Sequence, residues 1–209
     1  MVASHRRAAH RPSRRHAIVD AATQLFAVQS PDVVTVADIA DQAGMTPAAV
    51  YYHFPSKDDI LLECMRLFSA EFVSEVRRLS QNLSEDSTPG DLLVSLLTWL
   101  EERHAGSSVF FVSSVGASLE TETLRMEVRV HLITLFQRAV RRRGRIGTAK
   151  AAVVATSMVA LLEAASVSWL EQDNTFRGLG RRDFLDEVIS QANRVAGLES
   201  TTPSPDGDQ

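Results

Sequence analysis

The chain has 209 residues, of which 44% are hydrophobic and 23% are charged, and its formal net charge is −4 at pH 7. This length and composition predict one globular domain of ordinary size or two small ones, and they exclude a disordered chain. The single cysteine, Cys64, excludes an intramolecular disulfide and indicates a reducing compartment. Its apolar neighbours favour a buried thiol over a nucleophile.

Positive charge is concentrated at the N-terminus. The first 19 residues contain five of the 22 basic residues and no acidic residue, so the remaining chain carries a balance of −9. These five residues are Arg6, Arg7, Arg11, Arg14 and Arg15. Such an arm attracts a polyanion because its side chains displace counterions from phosphates, but a solvated, disordered tail has the same composition. We expect residues 1–13 to be disordered. No apolar stretch follows the arginines, so this is not a signal peptide, and we expect a cytoplasmic protein.

Helical periodicity dominates the chain and predicts an all-α fold of about nine helices. The first helix has an apolar face made of Ile18, Ala22, Leu25 and Phe26, and it ends before Pro31 because proline cannot continue a helix.

Residues 35–54 predict two short helices joined by a turn. Thr35 begins the first helix with the spacing of a capping box, and Gly44 suits its left-handed end. Thr46 and Pro47 suit the start of the second helix. With the first helix in front, this is the helix-turn-helix plan, in which the second helix enters a DNA major groove.

The second of these helices presents more side chains than the core can hold. Val50 and Phe54 lie four residues apart and can face the core, but adjacent Tyr51 and Tyr52 project about 100° apart. The residues predicted to be exposed toward DNA are Thr46, Pro47, Ala48, Ala49, Tyr51, Tyr52 and His53. Alanines permit a close approach to base edges, whereas the tyrosines and His53 suit phosphates. Alternatively, one tyrosine packs against the fourth helix.

Lys57 starts the next predicted helix, so its ammonium and the free N–H groups of that helix could bind one more phosphate. From here we predict a C-terminal helical domain, residues 57–197, and a disordered tail, residues 198–209. Its helices are predicted at 57–82, from 88 to about 106, from about 121 into "RRRGR", at 148–172 and at 181–196.

The helix at 148–172 is apolar and long enough to span a bilayer. However, Glu163 lies near its middle, and a central acid costs roughly 2.5–3.5 kcal/mol on insertion scales. We therefore interpret it as a buried interface helix.

The sequence does not predict an enzyme, a cofactor or a metal site. The segment "GLGRRD" follows no strand, and His5, His10 and His16 lack metal-ligand spacing. The basic run at 141–145 is interpreted as cations that compensate the C-terminus of a helix, in preference to a second DNA site.

The stretch "VTVADIADQAGMTPAAVYYHFPSKDDIL" resembles the N-terminal DNA-binding domain of the TetR family of transcriptional regulators, over roughly residues 14–62. The resemblance rests on the Thr35-led helix with Ile39 and Ala40, Gly44 in the turn, "YYHF" at Tyr51 to Phe54, and Ser56 with Lys57. It implies a DNA-binding domain at residues 14–56. It also implies DNA contacts, mostly to phosphates, from Thr35, Thr46, Tyr51, Tyr52, His53 and Lys57. Many members carry glycine in place of Ala48 and Ser or Thr in place of Ala49.

The resemblance also implies a ligand-responsive regulator, typically a repressor. Such proteins are homodimers whose last two helices, here residues 148–172 and 181–196, form a four-helix bundle and so present two recognition helices to a palindromic operator. A ligand would displace helix 4 and with it the DNA-binding domain. Control by a protein partner, and activation in place of repression, stay open as alternatives.

Candidate residues for a ligand pocket are the large apolar side chains that helices 4 to 8 could direct inward. They are Phe68, Phe72, Leu96, Trp99, Leu100, Phe110, Phe111, Val115, Met126, Val130, Met158, Leu161 and Leu162. Their chemistry predicts an apolar or amphipathic effector, with His104, His131 and Glu163 as possible polar anchors. As the alternative, His131 is a core histidine and Glu163 is an interface acid.

Overall fold

The computed structural model describes residues 13–84, 86–143, 146–171, 178 and 180–197. The predicted tail and all of the predicted arm except Ser13 lie outside these residues. Across the described ranges the fold is all-α, with nine α-helices and one π-helical turn, Val109–Ser113, and no strand. The helices are α1 (Arg14–Val28), α2 (Val36–Gln42), α3 (Pro47–His53), α4 (Lys57–Gln81), α5 (Pro89–Glu102), α6 (His104–Ser108), α7 (Leu119–Arg143), α8 (Thr148–Leu170) and α9 (Arg181–Ala196).

The caps that the sequence predicted for α2 and α3 are present. The backbone N–H of Asp38 donates to Oγ1 of Thr35 at 3.2 Å, and the backbone N–H of Thr35 donates to a carboxylate oxygen of Asp38 at 2.8 Å. Gly44 follows with φ of 65°, a left-handed conformation that glycine adopts at little cost. Thr46 then caps α3 by accepting from the N–H of Ala49 at 3.2 Å. These contacts confirm a helix, a turn and a second helix at the predicted positions.

The helix predicted from residue 88 to about 106 ends earlier than expected, at Glu102. The chain leaves helical geometry at Arg103, where φ is −110° and ψ is 39°. The short α6 follows, and the Val- and Phe-rich stretch continues it as the π-helical turn. This arrangement buries Phe110 and Phe111, although they are adjacent in sequence.

A continuous apolar core connects α1 with the helices after it, and α4 contributes to both ends of that core. Cys64 of α4 is buried, and its Sγ lies 3.6 Å from the carbonyl oxygen of Val19 in α1. Burial raises the pKa of the Cys64 thiol to about 12, which keeps it protonated at neutral pH. One to two turns later, Phe68 and Phe72 of α4 lie with ring centroids 5.8 Å from that of Trp99 in α5.

The helices α8 and α9 pack against α7 and α5, respectively, and against each other. Of the described helices, only Thr148–Leu170 is long and apolar enough to cross a membrane, and 44% of its apolar window is buried inside the protein. Its outward face carries Val153, Thr156, Ala160 and Ala164, which are all exposed.

Close packing of α5 on α9 depends on Gly90. A Cβ atom at this position would lie 2.8 Å from both Cα and the carbonyl oxygen of Ile189. The Gly90 N–H also donates to the side-chain oxygen of Asn193 at 3.1 Å. The two helix backbones therefore approach each other as closely as glycine permits.

We predict that Gly90→Ala lowers the free energy of unfolding by about 1–3 kcal/mol, because the added methyl group must push the α9 backbone away. Urea denaturation followed by circular dichroism measures this change. Ser95→Ala, on an exposed position of the same helix, is the matched control and should change stability by less than about 0.5 kcal/mol. Equal stability of Gly90→Ala and the wild type would contradict the tight α5 to α9 contact.

Candidate nucleic-acid interface and cleft

The outward surface of α3 is the candidate nucleic-acid interface. Val50 and Phe54 are buried, while the exposed fractions of Tyr51 and Tyr52 are 54% and 86%. The Tyr52 ring lies edge-on to His53, with ring centroids 5.2 Å apart. Neither tyrosine is therefore a core residue. Because about half of the Tyr51 surface is covered, the alternative in which one tyrosine packs against the fourth helix stays open for Tyr51. Thr46, Pro47 and Ala48 are exposed, and Ala49 and His53 are half-buried, so all seven predicted residues reach the surface.

Arg15 holds the end of α3 against α4. Its guanidinium lies 4.1 Å from the centroid of the Phe54 ring, donates to the carbonyl oxygen of His53 at 3.2 Å and forms an ion pair with Glu63 at 2.9 Å. The sequence placed Arg15 in the basic arm that attracts a polyanion, and this role stays a prediction. Its guanidinium has three partners within the fold, a carboxylate, a carbonyl and an aromatic face, although its side chain is still 45% exposed. Arg14 beside it is exposed as well.

Two further predicted DNA contacts have intramolecular partners. The Lys57 ammonium donates to the carbonyl oxygen of Pro31 and lies 3.5 Å from that of Asp32, in the turn between α1 and α2. An ammonium carries three donor hydrogens, so a phosphate contact from Lys57 stays a prediction. The Thr35 hydroxyl donates to Asp38 at 2.6 Å, so it would have to give up this bond before donating to a phosphate.

A cleft of about 1230 Å³ lies between α4 and α7, and Phe110 and Phe111 of the π-helical turn line it together with Glu163 and Val167 of α8. Five residues of the predicted pocket line this cleft, namely Phe110, Phe111, Val115, Met126 and Val130. The possible polar anchors His131 and Glu163 line it too. Met126 and Val130 are exposed, because the cleft is open to solvent.

The other predicted pocket residues do not line this cleft. They are Phe68, Phe72, Leu96, Trp99, Leu100, Met158, Leu161 and Leu162. Most are fully buried, and Phe68, Phe72 and Trp99 form an aromatic cluster with Phe110 and Phe111, with ring centroids 5.0–6.5 Å apart. Met158 borders a void of about 10 Å³, which is no larger than one water site.

The ion-paired groups of the cleft lie on α7 and α8. Glu163 forms an ion pair with Arg129 at 2.9 Å, and burial raises the pKa of its carboxyl group, against the attraction of Arg129 and Arg125. Arg125 lies over the Phe110 ring and donates to the carbonyl oxygen of Phe110 and to the Ser114 hydroxyl. Desolvation by burial lowers the pKa of Arg125.

The two histidines proposed as anchors are both exposed. His131 lines the cleft but is not a core residue, and His104 lies outside the cleft, near the Ser108 hydroxyl. Within the described ranges, no group of three or more His, Cys, Asp or Glu side chains could hold a metal ion.

Sequence reasoning missed the arginines of the cleft, which are Arg66, Arg77, Arg125 and Arg129. A signal for two of them was present. Arg66 and Arg77 are eleven residues apart, a spacing that places both on nearly the same face of a helix.

Comparison with known proteins identifies the family. The sequence profile described as "Bacterial regulatory proteins, tetR family" matches residues 18–64, which run from α1 into α4 and contain the whole candidate interface. A tetR-family transcriptional regulator from Streptomyces coelicolor shares the fold, with a TM-score of 0.69 and 20% identity over 90% of this chain and 82% of that one. The chain belongs to the TetR family.

Curated relatives in the TetR family align over part of their length. The repressor KstR2 of Rhodococcus jostii is 29% identical over 98 residues, which are 46% of this chain and 48% of the relative. The regulator BetI of Brucella suis is 31% identical over 86 residues, which are 41% and 42% of the two chains. The nucleoid occlusion factor SlmA of Aliivibrio fischeri is 29% identical over 124 residues, which are 59% and 62%. The chain thus matches about half of each relative.

The TetR-family fold also extends to the regulator FadR of Bacillus subtilis, whose structure was solved in complex with stearoyl-CoA. Its TM-score is 0.65 and its identity 17%, over 88% of this chain and 99% of that one. At this identity the similarity shows the fold alone.

We predict that Arg15→Ala destabilises the TetR-type DNA-binding domain by about 1–2 kcal/mol, since it removes a cation–π contact and an ion pair. Hydrogen exchange measured by mass spectrometry should show faster exchange in α3, whose end Arg15 holds. Arg14→Ala removes an exposed arginine next to it and should leave exchange in α3 unchanged. Faster exchange in both variants would show that charge alone matters.

Proposed function

We propose that this TetR-family protein is a ligand-responsive transcriptional repressor, which binds a palindromic operator as a homodimer and is released from it by an apolar or amphipathic small molecule. The observation that carries the proposal is that one helix, α4, borders both the candidate interface and the cleft. Such a protein acts on DNA in the cytoplasm, and no enzymatic activity is part of the proposal.

DNA binding is supported by the surface of α3. Its N-terminal residues, Thr46 to Ala49, are small and lie where a recognition helix meets base edges, so we assign sequence choice to them. Tyr51, Tyr52 and His53 are assigned to phosphates, because a phenol hydroxyl or an imidazole can donate to a phosphate oxygen. Lys57 is assigned the same role through its remaining donor hydrogen, and Thr35 is assigned it provided that its hydroxyl gives up Asp38.

Dimerisation is assigned to α8 and α9. The outward face of α8 carries small residues that permit close helix packing, and Val153 exposes apolar surface that a second copy would cover. In a dimer with two-fold symmetry, the two α3 helices must lie about 34–36 Å apart to enter successive major grooves.

The effector response is assigned to the cleft and to α4. Arg66, Ser69 and Ala70 of α4 line the cleft, and Glu63, which holds Arg15, lies one turn earlier on the same helix. A ligand that prefers a shifted α4 would therefore act on the end of α3 through Glu63 and Arg15. The stearoyl-CoA bound to FadR is an example of an amphipathic ligand on this fold.

We predict that genome-wide mapping of bound DNA yields a palindromic site, and that Tyr52→Phe weakens binding to it about twofold to tenfold. The reason is that a lost hydrogen bond costs about 0.5–1.5 kcal/mol. Fluorescence anisotropy with the mapped site measures the affinity. His104→Ala, an exposed change outside α3, is the control and should not alter it. The absence of a palindromic site would overturn the proposal.

We predict that solvent extraction and mass spectrometry of the purified protein identify an apolar or amphipathic molecule that releases the operator. Ala70→Trp should weaken this release while DNA affinity is kept, because Ala70 lines the cleft and the indole would project into the space that the ligand occupies. Leu67→Trp is the matched control, since Leu67 is exposed on the same helix outside the cleft. A small, highly polar inducer would contradict the proposed ligand class, and release by a protein partner would contradict ligand control.

A further inference from the structure

The α4 wall of the cleft carries two arginines that have no described partner. Arg66 and Arg77 line the cleft and are exposed, and neither guanidinium forms an ion pair or hydrogen bond with any described residue. Eleven residues of helix place them about 20° apart around the axis and about 16.5 Å apart along it. The side chains between them on this wall are small or apolar and include Ala70 and Val73.

The opposite wall does not supply enough negative charge to neutralise these arginines. Glu163 pairs with Arg129 at 2.9 Å, and Glu122 lies 3.5 Å from Arg125, so Glu127 is the one cleft carboxylate without a described partner. The cleft therefore has four arginines against three glutamates. In addition, Nε of Arg125 is buried without a hydrogen-bond partner.

Apolar side chains stand exposed along the same cleft. Val115, Leu119, Met126 and Val130 all line it and all rank among the exposed large hydrophobic residues of the protein. Contiguous exposed apolar surface of this kind marks a place that binds something apolar. Because the α4 wall beside it is cationic, an apolar molecule with a negative group complements both surfaces.

We propose that the effector is an amphipathic anion. Its apolar chain covers Val115 and the exposed apolar residues of α7, and its carboxylate or phosphate binds one of the two arginines of the α4 wall. A guanidinium donates two parallel hydrogen bonds to either group, and such charge-assisted bonds are stronger than neutral ones. This inference rests on the proposed effector response and names its chemical class.

Four ligands with the same ten-carbon chain test the charge requirement. We expect decanoate or decyl phosphate to bind the full-length protein about tenfold or more tightly than decanol and decylamine, as hydrogen bonds to a charged group contribute about 1.5–3 kcal/mol. Isothermal titration calorimetry measures the affinities. The carboxylate and the phosphate are compared directly, because the arginines suit both.

Variants of the arginines locate the anion. Replacing both cleft arginines, as Arg66→Gln with Arg77→Gln, should remove the preference for the anionic ligands and leave decanol binding unchanged, and the two single variants show which end of the wall is used. Arg78→Gln is the matched control, because Arg78 is adjacent to Arg77 but pairs with Glu75 at 2.6 Å and does not line the cleft. Unaltered operator binding shows that each variant is folded.

Three results would overturn the inference. Equal or tighter binding of decanol or decylamine would show that the cleft does not select an anion, and operator release by decanol would then still support the proposed effector response. An anion preference that survives the double variant would place the charged group elsewhere. Failure of all four ligands to bind, with operator binding intact, would overturn the inference and the amphipathic effector together but not the proposed DNA binding.

Discussion

The structure depends on one long helix that belongs to two packing units. Helix α4 has 25 residues, so it is about 37 Å long, and it changes neighbours along its length. Its first turns face α1 through Cys64 and hold α3 through Glu63 and Arg15, while its later turns supply Phe68 and Phe72 to the aromatic cluster. Because a helix transmits displacement along its axis without bending easily, the two ends of α4 cannot move independently.

The link between α4 and α3 is of the size that regulation requires. Arg15 contacts both helices, and we expect these contacts to contribute about 1–2 kcal/mol. This value lies within the range of about 1–3 kcal/mol that is typical of coupling free energies between sites. A much stronger connection would fix α3 whatever occupied the cleft. Without the Arg15 contacts, a shift of α4 would not be transmitted to α3 through this residue.

The sequence predicted the helices better than the cleft, and particular residues show why. Caps such as Thr35 and Thr46 act within four residues, so local sequence determines them. Helical periodicity separated the inner from the outer positions of α4. However, Phe68 and Arg66 lie on different sides of that helix, and the cleft borders Arg66 but not Phe68. Which inward face is filled by aromatic rings and which stays open depends on how α5 and α7 pack, and no local pattern records it. For the same reason the sequence did not predict the ion pair of Arg15, since Glu63 is distant in sequence.

The π-helical turn at Val109–Ser113 gives the DNA-binding domain a second attachment. Together with α6 it packs against α1, so α1 is held both by α4 and by this segment. If α4 alone held α1, the DNA-binding domain could rotate about α4. The contact of α6 and the π-helical turn with α1 comes from another direction and removes much of this rotational freedom. The DNA-binding domain therefore loses little orientational entropy when it binds DNA. A ligand that loosens either attachment would increase the orientational entropy lost on binding and so weaken the affinity for DNA.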